Sequence, residues 1–361
     1  MKQRLSSIDA LRGVSILLVL IYHAGPLTWR LASYAPDGWL RWPRLGLAWL
    51  AVPFLHFGFI GVHAFFVLSG FCIHLRTARE RTLPPMRSFF LRRFWRIYPP
   101  YWIALLVCSL LPAHHSATPR DLAFHAVMLH TFQSDTFFSI NPAFWSLATE
   151  EQFYLAYPIA ALAIRRFGIR RVLAGALLLS LVWRSAALVF LPWPTSAEAG
   201  NFMLWRILIH GLFVPRWFEW LLGCWVAEAV ANPVLLPGRR GIAFAAAVLI
   251  VLGMATRIHI AVDKLFSDAL FASGFALVTV LLLARSAAPG AISHRLSWVG
   301  RHAYGIYLIH QPLLDLALAW PLRFFLAPAA GLLFSLLCER PFERISQAIR
   351  RSREIDTAQA G

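Results

Sequence analysis

Two ionisable residues share the first apolar segment of the chain, IDALRGVSILLVLIYHAG: Arg12 and His23. They are 11 positions apart. At about 100° per residue this is roughly 20° past three full helical turns, so both side chains leave one face, about 16 Å apart along the axis. Asp9 shares that face. An ionisable group inside a bilayer costs a few kcal/mol or more, so such residues usually line a cavity. An imidazole with an ordinary pKa near 6.5 suits a general base at neutral pH. The same spacing also fits a plainer pair, with Arg12 snorkelling to the interface and His23 capping the span.

Three further segments place polar groups where a membrane makes them costly. In FWSLATEEQFYLAYP (144–158), Glu150 and Glu151 stand in the first third of an otherwise apolar helix. A buried carboxylate there could orient or charge-balance a histidine, while acids near a helix start also simply favour the dipole. In SFFLRRFWRIYPPYW, Arg92, Arg93 and Arg96 lead into a span behind aromatics and a Pro pair. Guanidinium groups so placed suit phosphate recognition, and equally suit ordinary positive charge on an inner loop. VGRHAYGIYLIHQPL (299–313) carries His302, Tyr304, Tyr307 and His310, and His63 and His74 lie in or at the end of the second apolar segment. No HxxxH or HExxH pair occurs in the spans, so no metal site is expected.

The elements that must position these groups are helices in a bilayer. Of 361 residues 59% are hydrophobic and 14% charged, and mean hydropathy is +0.62, well away from globular usage. The excess forms apolar blocks of membrane-crossing length. Ten spans are expected, at about 8–26, 56–75, 98–113, 145–164, 172–191, 206–230, 241–256, 267–284, 298–319 and 322–338. The expected fold is an all-α polytopic bundle, with a membrane domain over 1–345 and a disordered basic tail over 346–361.

The net charge of +17 sits between the apolar blocks, the distribution of cytoplasmic loops rather than of a nucleic-acid surface. The loop after the second span carries Arg76, Arg79, Arg81, Arg87, Arg92, Arg93 and Arg96 against Glu80, which places it, and both termini, in the cytoplasm. The short stretch 121–133 is expected to be re-entrant or interfacial, since a span there would put Arg165, Arg166, Arg170 and Arg171 outside. No cleavable signal peptide is expected after the first apolar run. Cys72, Cys108, Cys224 and Cys338 form no CxxC pair and read as packing residues. Trp29, Trp39, Trp42, Trp49, Trp193 and Trp320 cluster at span ends as an aromatic belt.

Six of these segments, in this order, resemble the acyltransferase type 3 family of integral-membrane enzymes that modify bacterial surface glycans and some small molecules. They are IDALRGVSILLVLIYHAG with Arg12 and His23, GVHAFFVLSGFCI (61–73), RRFWRIYPPYW with the Arg-x-x-Arg pair Arg93 and Arg96, FWSLATEEQFYLAYP with Glu150 at its characteristic acid, AYGIYLIHQPL and CERPFERI. The resemblance covers Ile8 to about Glu343. It implies acyl transfer, usually of acetyl, from acyl-coenzyme A entering on the cytoplasmic side to an acceptor handled toward the other face, in the bacterial inner membrane. The chain departs from the pattern at His63, where members usually carry an acid, and is expected to lack the soluble esterase-like domain of some relatives.

On this reading His23 is the general base and Glu150 orients it, Arg12, Arg93 and Arg96 hold the donor, and Ser69, Tyr307 and His310 contact substrate. The acceptor is the hydroxyl of a cell-surface glycan or lipid-linked precursor. Ser69 and Ser146 keep a covalent acyl-enzyme route open. The competing reading is a transporter or exporter of an acidic or glycan-linked solute, with the same histidines as a proton relay. The absence of an internal repeat weighs against that reading.

Overall fold

A computed structural model describes residues 2–24, 57–111, 117–191, 201–232, 238–284, 290–316 and 320–359. Among them all regular structure is helical. Trp29, Trp39, Trp42, Trp49 and Trp193 lie outside the described residues.

Six segments are long and apolar enough to cross a membrane by length and composition: Ser6–His23, Ile60–Glu80, Ile169–Phe190, Arg239–Ile258, Ile260–Leu283 and Leu322–Ile349. The expected count of ten rests on four more segments that do not qualify on those grounds alone. Met86–Ser109 and Phe144–Phe167 have 24 residues each but four charged side chains each, Arg87, Arg92, Arg93 and Arg96 in one and Glu150, Glu151, Arg165 and Arg166 in the other. The other two are broken. A helix through 206–230 is interrupted before Trp217–Ala231, where Pro215 lacks an N–H and disfavours helix in the residue before it. Across 298–319 the chain breaks at Arg301 and His302, leaving Ala291–Gly300 and Ala303–Leu314.

The helices are labelled here α1 (Lys2–His23), α2 (Ile60–Glu80), α3 (Met86–Ser109), α4 (Pro119–Ala126), α5 (Phe144–Phe167), α6 (Ile169–Phe190), α7 (Asn201–Arg206), α8 (Trp217–Ala231), α9 (Arg239–Ala255), α10 (Asp268–Leu283), α11 (Ala291–Gly300), α12 (Ala303–Leu314), α13 (Trp320–Phe334) and α14 (Arg340–Gln359). Apolar residues on the outer helices face outward, among them Leu178, Val182, Val189, Phe244 and Val251, as a lipid-contacting surface requires.

Helix α2 sits at the centre, packed on α1, α8 and α10. It meets α8 at two glycines: a methyl group on Gly70 would collide with the carbonyl of Trp220, and one on Gly223 with that of Val67. Small residues at such crossings let backbones touch, the main source of helix affinity in lipid. Helices α1 and α11 cross the same way through Gly13 and Gly300. The second contact carries α12, which follows α11, beside α1, and Gly61 of α2 meets the Ser15 carbonyl of α1 in the same manner, which matters for the site below.

The stretch 121–133 forms the eight-residue α4, closed by a Thr118–Asp121 capping box, and a 3₁₀ turn at His130–Phe132. At about 12 Å, α4 is less than half a hydrocarbon thickness. The tail expected to be disordered is helical to Gln359. Helix α14 packs on α3, with Phe342 stacked on Trp95 and Ser346 Oγ donating to the Arg92 carbonyl at 2.9 Å.

Candidate active site

Helix α1 places Arg12 near the end of the bundle that carries the basic residues and His23 at its far end. His23 Nδ1 lies 3.0 Å from His310 Nε2 on α12. His310 Nδ1 lies 2.8 Å from the backbone carbonyl of Tyr307. A carbonyl only accepts, so His310 carries its proton on Nδ1 and its Nε2 is an acceptor. His23 must then donate from Nδ1, which leaves Nε2 as its basic atom. That nitrogen has no hydrogen bond among the described residues, and the residue is half-buried. The local fold thus sets the tautomer of both rings.

Glu150, expected to orient His23, does not touch it. Its carboxylate accepts a hydrogen bond from Tyr154, one turn on in α5. The Tyr154 hydroxyl lies 3.1 Å from Ser69 Oγ on α2. Because the Tyr154 proton goes to Glu150, Ser69 donates to Tyr154, and Ser69 in turn accepts from Trp220 Nε1 at 3.2 Å. Arg93 of α3 lies over the ring of the same Tyr154, so Glu150 stands on the arginine side of the bundle rather than beside the histidine pair. Its neighbour Glu151 has one carboxylate oxygen, Oε2, buried with no hydrogen-bond partner among the described residues.

Arg12 is tied down: it pairs with Asp9 at 3.0 Å and donates to Cys72 Sγ at 3.2 Å. Arg92 donates to Ser88 at 2.7 Å. Arg93 and Arg96, one turn apart on α3, differ. Arg93 lies over the Tyr154 ring at 5.5 Å, and neither has a hydrogen bond or ion pair among the described residues. Both guanidinium groups are half-buried, and two such groups one helical turn apart have the chemistry that suits an anion.

Between these poles the polar contacts continue. Tyr307 donates to the Ala143 carbonyl at 3.0 Å and receives Ser146 Oγ at 2.6 Å. The sequence-predicted residues therefore fall into two groups on one axis: Arg12, Arg93, Arg96, Glu150 and Ser69 toward the basic end, and Tyr307, His310 and His23 toward the other. Tyr154 and Trp220, which hold Ser69, were missed. Tyr154 was readable, since it lies four residues from Glu150 on the same helix. Trp220 and the pairing of His23 with His310 are tertiary and left no local signal.

The departure at His63 also acquires partners. His63 Nδ1 lies 2.7 Å from Glu219 Oε2 on α8, and Nε2 lies 3.6 Å from Asp268 Oδ1 on α10. Asp268 is held by Arg184 at 2.6 Å and Arg216 at 3.3 Å. Two carboxylates and two arginines surround the imidazole, and all five groups are largely buried.

A multi-pass helical membrane protein with a histidine pair at one end of its first helix and a group of arginines toward the other is the class that fold and geometry define. Residues 5–340 match the family model described as Acyltransferase domain, and the chain belongs to this acyltransferase family. It is similar to the peptidoglycan O-acetyltransferase OatA of Listeria monocytogenes serovar 1/2a (strain ATCC BAA-679 / EGD-e), 25% identical over 86% of this chain and 49% of the relative. It is also similar to a provisionally named membrane-bound transacylase, BcsY, of Komagataeibacter xylinus (24%; 86% and 73%) and to a provisionally named peptidoglycan O-acetyltransferase, YrhL, of Bacillus subtilis (strain 168) (26%; 86% and 48%). The chain spans about half the length of OatA and YrhL. No solved structure matches.

Proposed function

We propose that this protein moves an acyl group, acetyl by preference, from acyl-coenzyme A to a hydroxyl of a cell-surface glycan or its lipid-linked precursor. The observation that carries the reading is the His23–His310 pair, with Arg93 and Arg96 lacking a hydrogen bond or ion pair among the described residues. The relatives' names, two of them peptidoglycan O-acetyltransferases, supply the acceptor class.

The donor's phosphates bind Arg93 and Arg96, with Arg12 beside them. The pantetheine arm then runs along the polar column past Tyr154, Ser69 and Tyr307, a distance that the rise of about 16 Å between Arg12 and His23 approximates. His23 Nε2 removes the acceptor hydroxyl proton as its oxygen bonds to the thioester carbonyl carbon. The tetrahedral intermediate collapses with loss of the thiolate, which takes the proton back from Nε2. His310 holds the ring and accepts from Nδ1–H, so the charge formed on His23 is shared across the pair. Such proton transfer is worth roughly 10²–10⁴-fold. Glu150 acts on the donor side, through Tyr154 and the arginines, rather than on His23.

We also propose ten crossings, with the basic end and both termini in the cytoplasm of a bacterial inner membrane. The basic clusters all fall on one side under that count, and α4 is too short to add a crossing. The competing transporter reading would use the same histidines as a relay, but family membership favours the enzyme.

The test is purified protein in nanodiscs with acetyl-coenzyme A, followed for release of free thiol and for transfer to glycan fragments. Thiol release that depends on His23 supports the reading. Donor bound without any thiol release, in protein shown to be folded, would overturn it. Mass spectrometry of surface glycans from cells with and without the gene then identifies the acceptor by one acyl group of mass.

A further inference from the structure

Helices α9 and α10 are joined tightly over much of their length and part at one end. A methyl group on Gly274 of α10 would lie 2.6 Å from Ile250 Cγ1 and 3.2 Å from the Ala246 carbonyl of α9, and one on Gly253 of α9 would lie 2.8 Å from the Phe271 ring. Small residues there let the two helices close up. Between the start of α9 and the end of α10 they leave a cavity of about 350 Å³, walled by Ala243 on one side and Val278, Leu281 and Leu282 on the other, with Arg239 and Arg240 at its mouth. Both arginines and Ala243 are exposed, the three α10 residues are half-buried, and Phe244 beside the cavity is 72% exposed. The cavity is therefore a groove on the outside of the bundle, where lipid lies.

Its depth and its charge are both defined. His63 Nε2 lies 3.6 Å from Asp268 Oδ1, which sets the start of α10 beside the start of α2. The end of α10 then points the way α2 ends, toward Arg76, Arg79 and Arg81, so the groove opens at the basic end of the bundle. No Asp or Glu occurs in the sequence between Glu228 and Asp263, or between Asp268 and Asp315. Glu228 is engaged by His74 and Arg81, each at 3.0 Å. Asp268, at the opposite end of α10, is held by Arg184 and Arg216. Two adjacent positive charges thus stand over an apolar trough, in a stretch of chain that supplies no acid of its own. Basic residues over an apolar trough at the membrane surface have the chemistry of an anionic headgroup site.

We infer that the groove between α9 and α10 binds one anionic phospholipid from the leaflet on the basic side, with its phosphate on Arg239 and Arg240 and one acyl chain along Ala243, Val278, Leu281 and Leu282. Charge selects this occupant. A zwitterionic lipid would bring its own ammonium group to the arginines, and a second copy of the chain would bring basic charge to a basic end. The site also has work to do in the fold. Helix α9 packs chiefly on α10, and a lipid seated in the gap bridges the two where their side chains part. The inference stands apart from the acyltransferase reading, since the groove lies outside the residues assigned to that reaction.

The test is native mass spectrometry of the full-length protein in detergent, titrated with phosphatidylglycerol, with phosphatidylcholine of the same acyl chains, and with a polyprenyl phosphate. The parent should retain one phosphatidylglycerol with a Kd at least about tenfold below that for phosphatidylcholine, the scale expected of two arginines at an anionic headgroup. The double variant Arg239→Gln/Arg240→Gln should lose that difference, and Arg239→Lys/Arg240→Lys should keep part of it. Ala243→Phe, which puts a ring into the trough, should weaken both phospholipids. Phosphatidylglycerol should raise the Tm of the parent and not that of the Gln variant. Equal affinity for the two phospholipids in the parent, a preference that survives in the Gln variant, or unchanged binding in Ala243→Phe overturns the inference. Tighter retention of the polyprenyl phosphate than of phosphatidylglycerol also overturns it, by giving the groove to a different lipid. Should the Gln variant fail to fold, the parent decides alone: a phosphatidylglycerol preference that shrinks as salt is raised upholds the charge pairing, and one indifferent to salt overturns it.

Discussion

The imidazole of His63 on α2 is gripped by the carboxylate of Glu219 on α8 at 2.7 Å, with Asp268 of α10 behind the second ring nitrogen at 3.6 Å. Both acids also face arginines, Arg216 lying 3.6 Å from Glu219 and 3.3 Å from Asp268. Charge at this depth is tolerable only while each group is answered. A histidine where relatives usually carry an acid is therefore not a simple loss of charge.

Substitutions at position 63 should test that balance. His63→Ala leaves the Glu219 oxygen without its donor and should cost about 3–5 kcal/mol, the usual loss when one partner of a buried pair is removed. His63→Gln can still donate and should cost less. His63→Asp places a third carboxylate against two arginines and should be the least stable of the three. Thermal unfolding of the variants in one detergent measures this, and an Asp variant as stable as the parent would show that the five groups are not coupled.

His23 and His310 should separate by degree. His23→Ala removes the base and is expected to abolish transfer, with expression and donor binding close to the parent. His310→Ala keeps the base but loses the acceptor that sets its tautomer, so a fall of roughly 10²-fold is expected, within the range for assisted proton transfer. Rates per mole of folded variant are the measurement. Full specific activity in His23→Ala would remove the assignment, and an unchanged rate in His310→Ala would remove the pairing from the mechanism.

The difference between those two residues also marks what a sequence can disclose. Arg12 and His23 lie on one helix, and helical geometry alone puts them on one face. His310 was recognisable as a costly intramembrane histidine, but its contact with His23 spans 287 positions and exists because α11 crosses α1 at Gly13 and Gly300. Glu150 was found and given the wrong neighbour: an acid in an apolar helix signals a polar environment without saying on which helix its partner stands. The interruption of the ninth expected span at Arg301 and His302 had no proline to announce it. There His302 turns its Nδ1 to Ser335 Oγ at 3.0 Å while Arg340 meets Nε2 at 3.1 Å, a local price set by residues more than thirty positions away.

Arg93 and Arg96 should each matter for the donor alone. With no hydrogen bond or ion pair to lose among the described residues, and only the Arg93–Tyr154 ring contact at 5.5 Å, Arg93→Ala and Arg96→Ala should cost little stability and raise the KM for acyl-coenzyme A about tenfold or more, with a smaller effect on kcat. Arg96→Lys should restore only part, since an ammonium cannot make the planar two-point contact with phosphate. Arg92→Ala is the control: Arg92 is bonded to Ser88 and should affect the donor less. Donor titration of the four proteins is sufficient, and parent-like affinity in both alanine variants would rule out this role.

Whether the acyl group passes through the protein covalently turns on Ser69 and Ser146. A nucleophilic serine needs an adjacent base to take its proton. Neither has one: Ser69 is held between Trp220 and Tyr154, at 3.2 and 3.1 Å, and its proton points along Tyr154 to Glu150. Ser146 is bonded to the Tyr307 hydroxyl at 2.6 Å, which is itself committed to the Ala143 carbonyl. The histidine pair contacts neither hydroxyl. Transfer should therefore be direct, and Ser69→Ala and Ser146→Ala should retain activity to within about tenfold, the cost of one lost hydrogen bond in each packed polar chain. Protein incubated with acetyl-coenzyme A in the absence of acceptor, digested and examined by mass spectrometry, should show no acetyl group on either serine. An acetylated Ser69 that disappears when acceptor is added would replace the direct route with a two-step one, and would make Glu150, through Tyr154, the base of its first half.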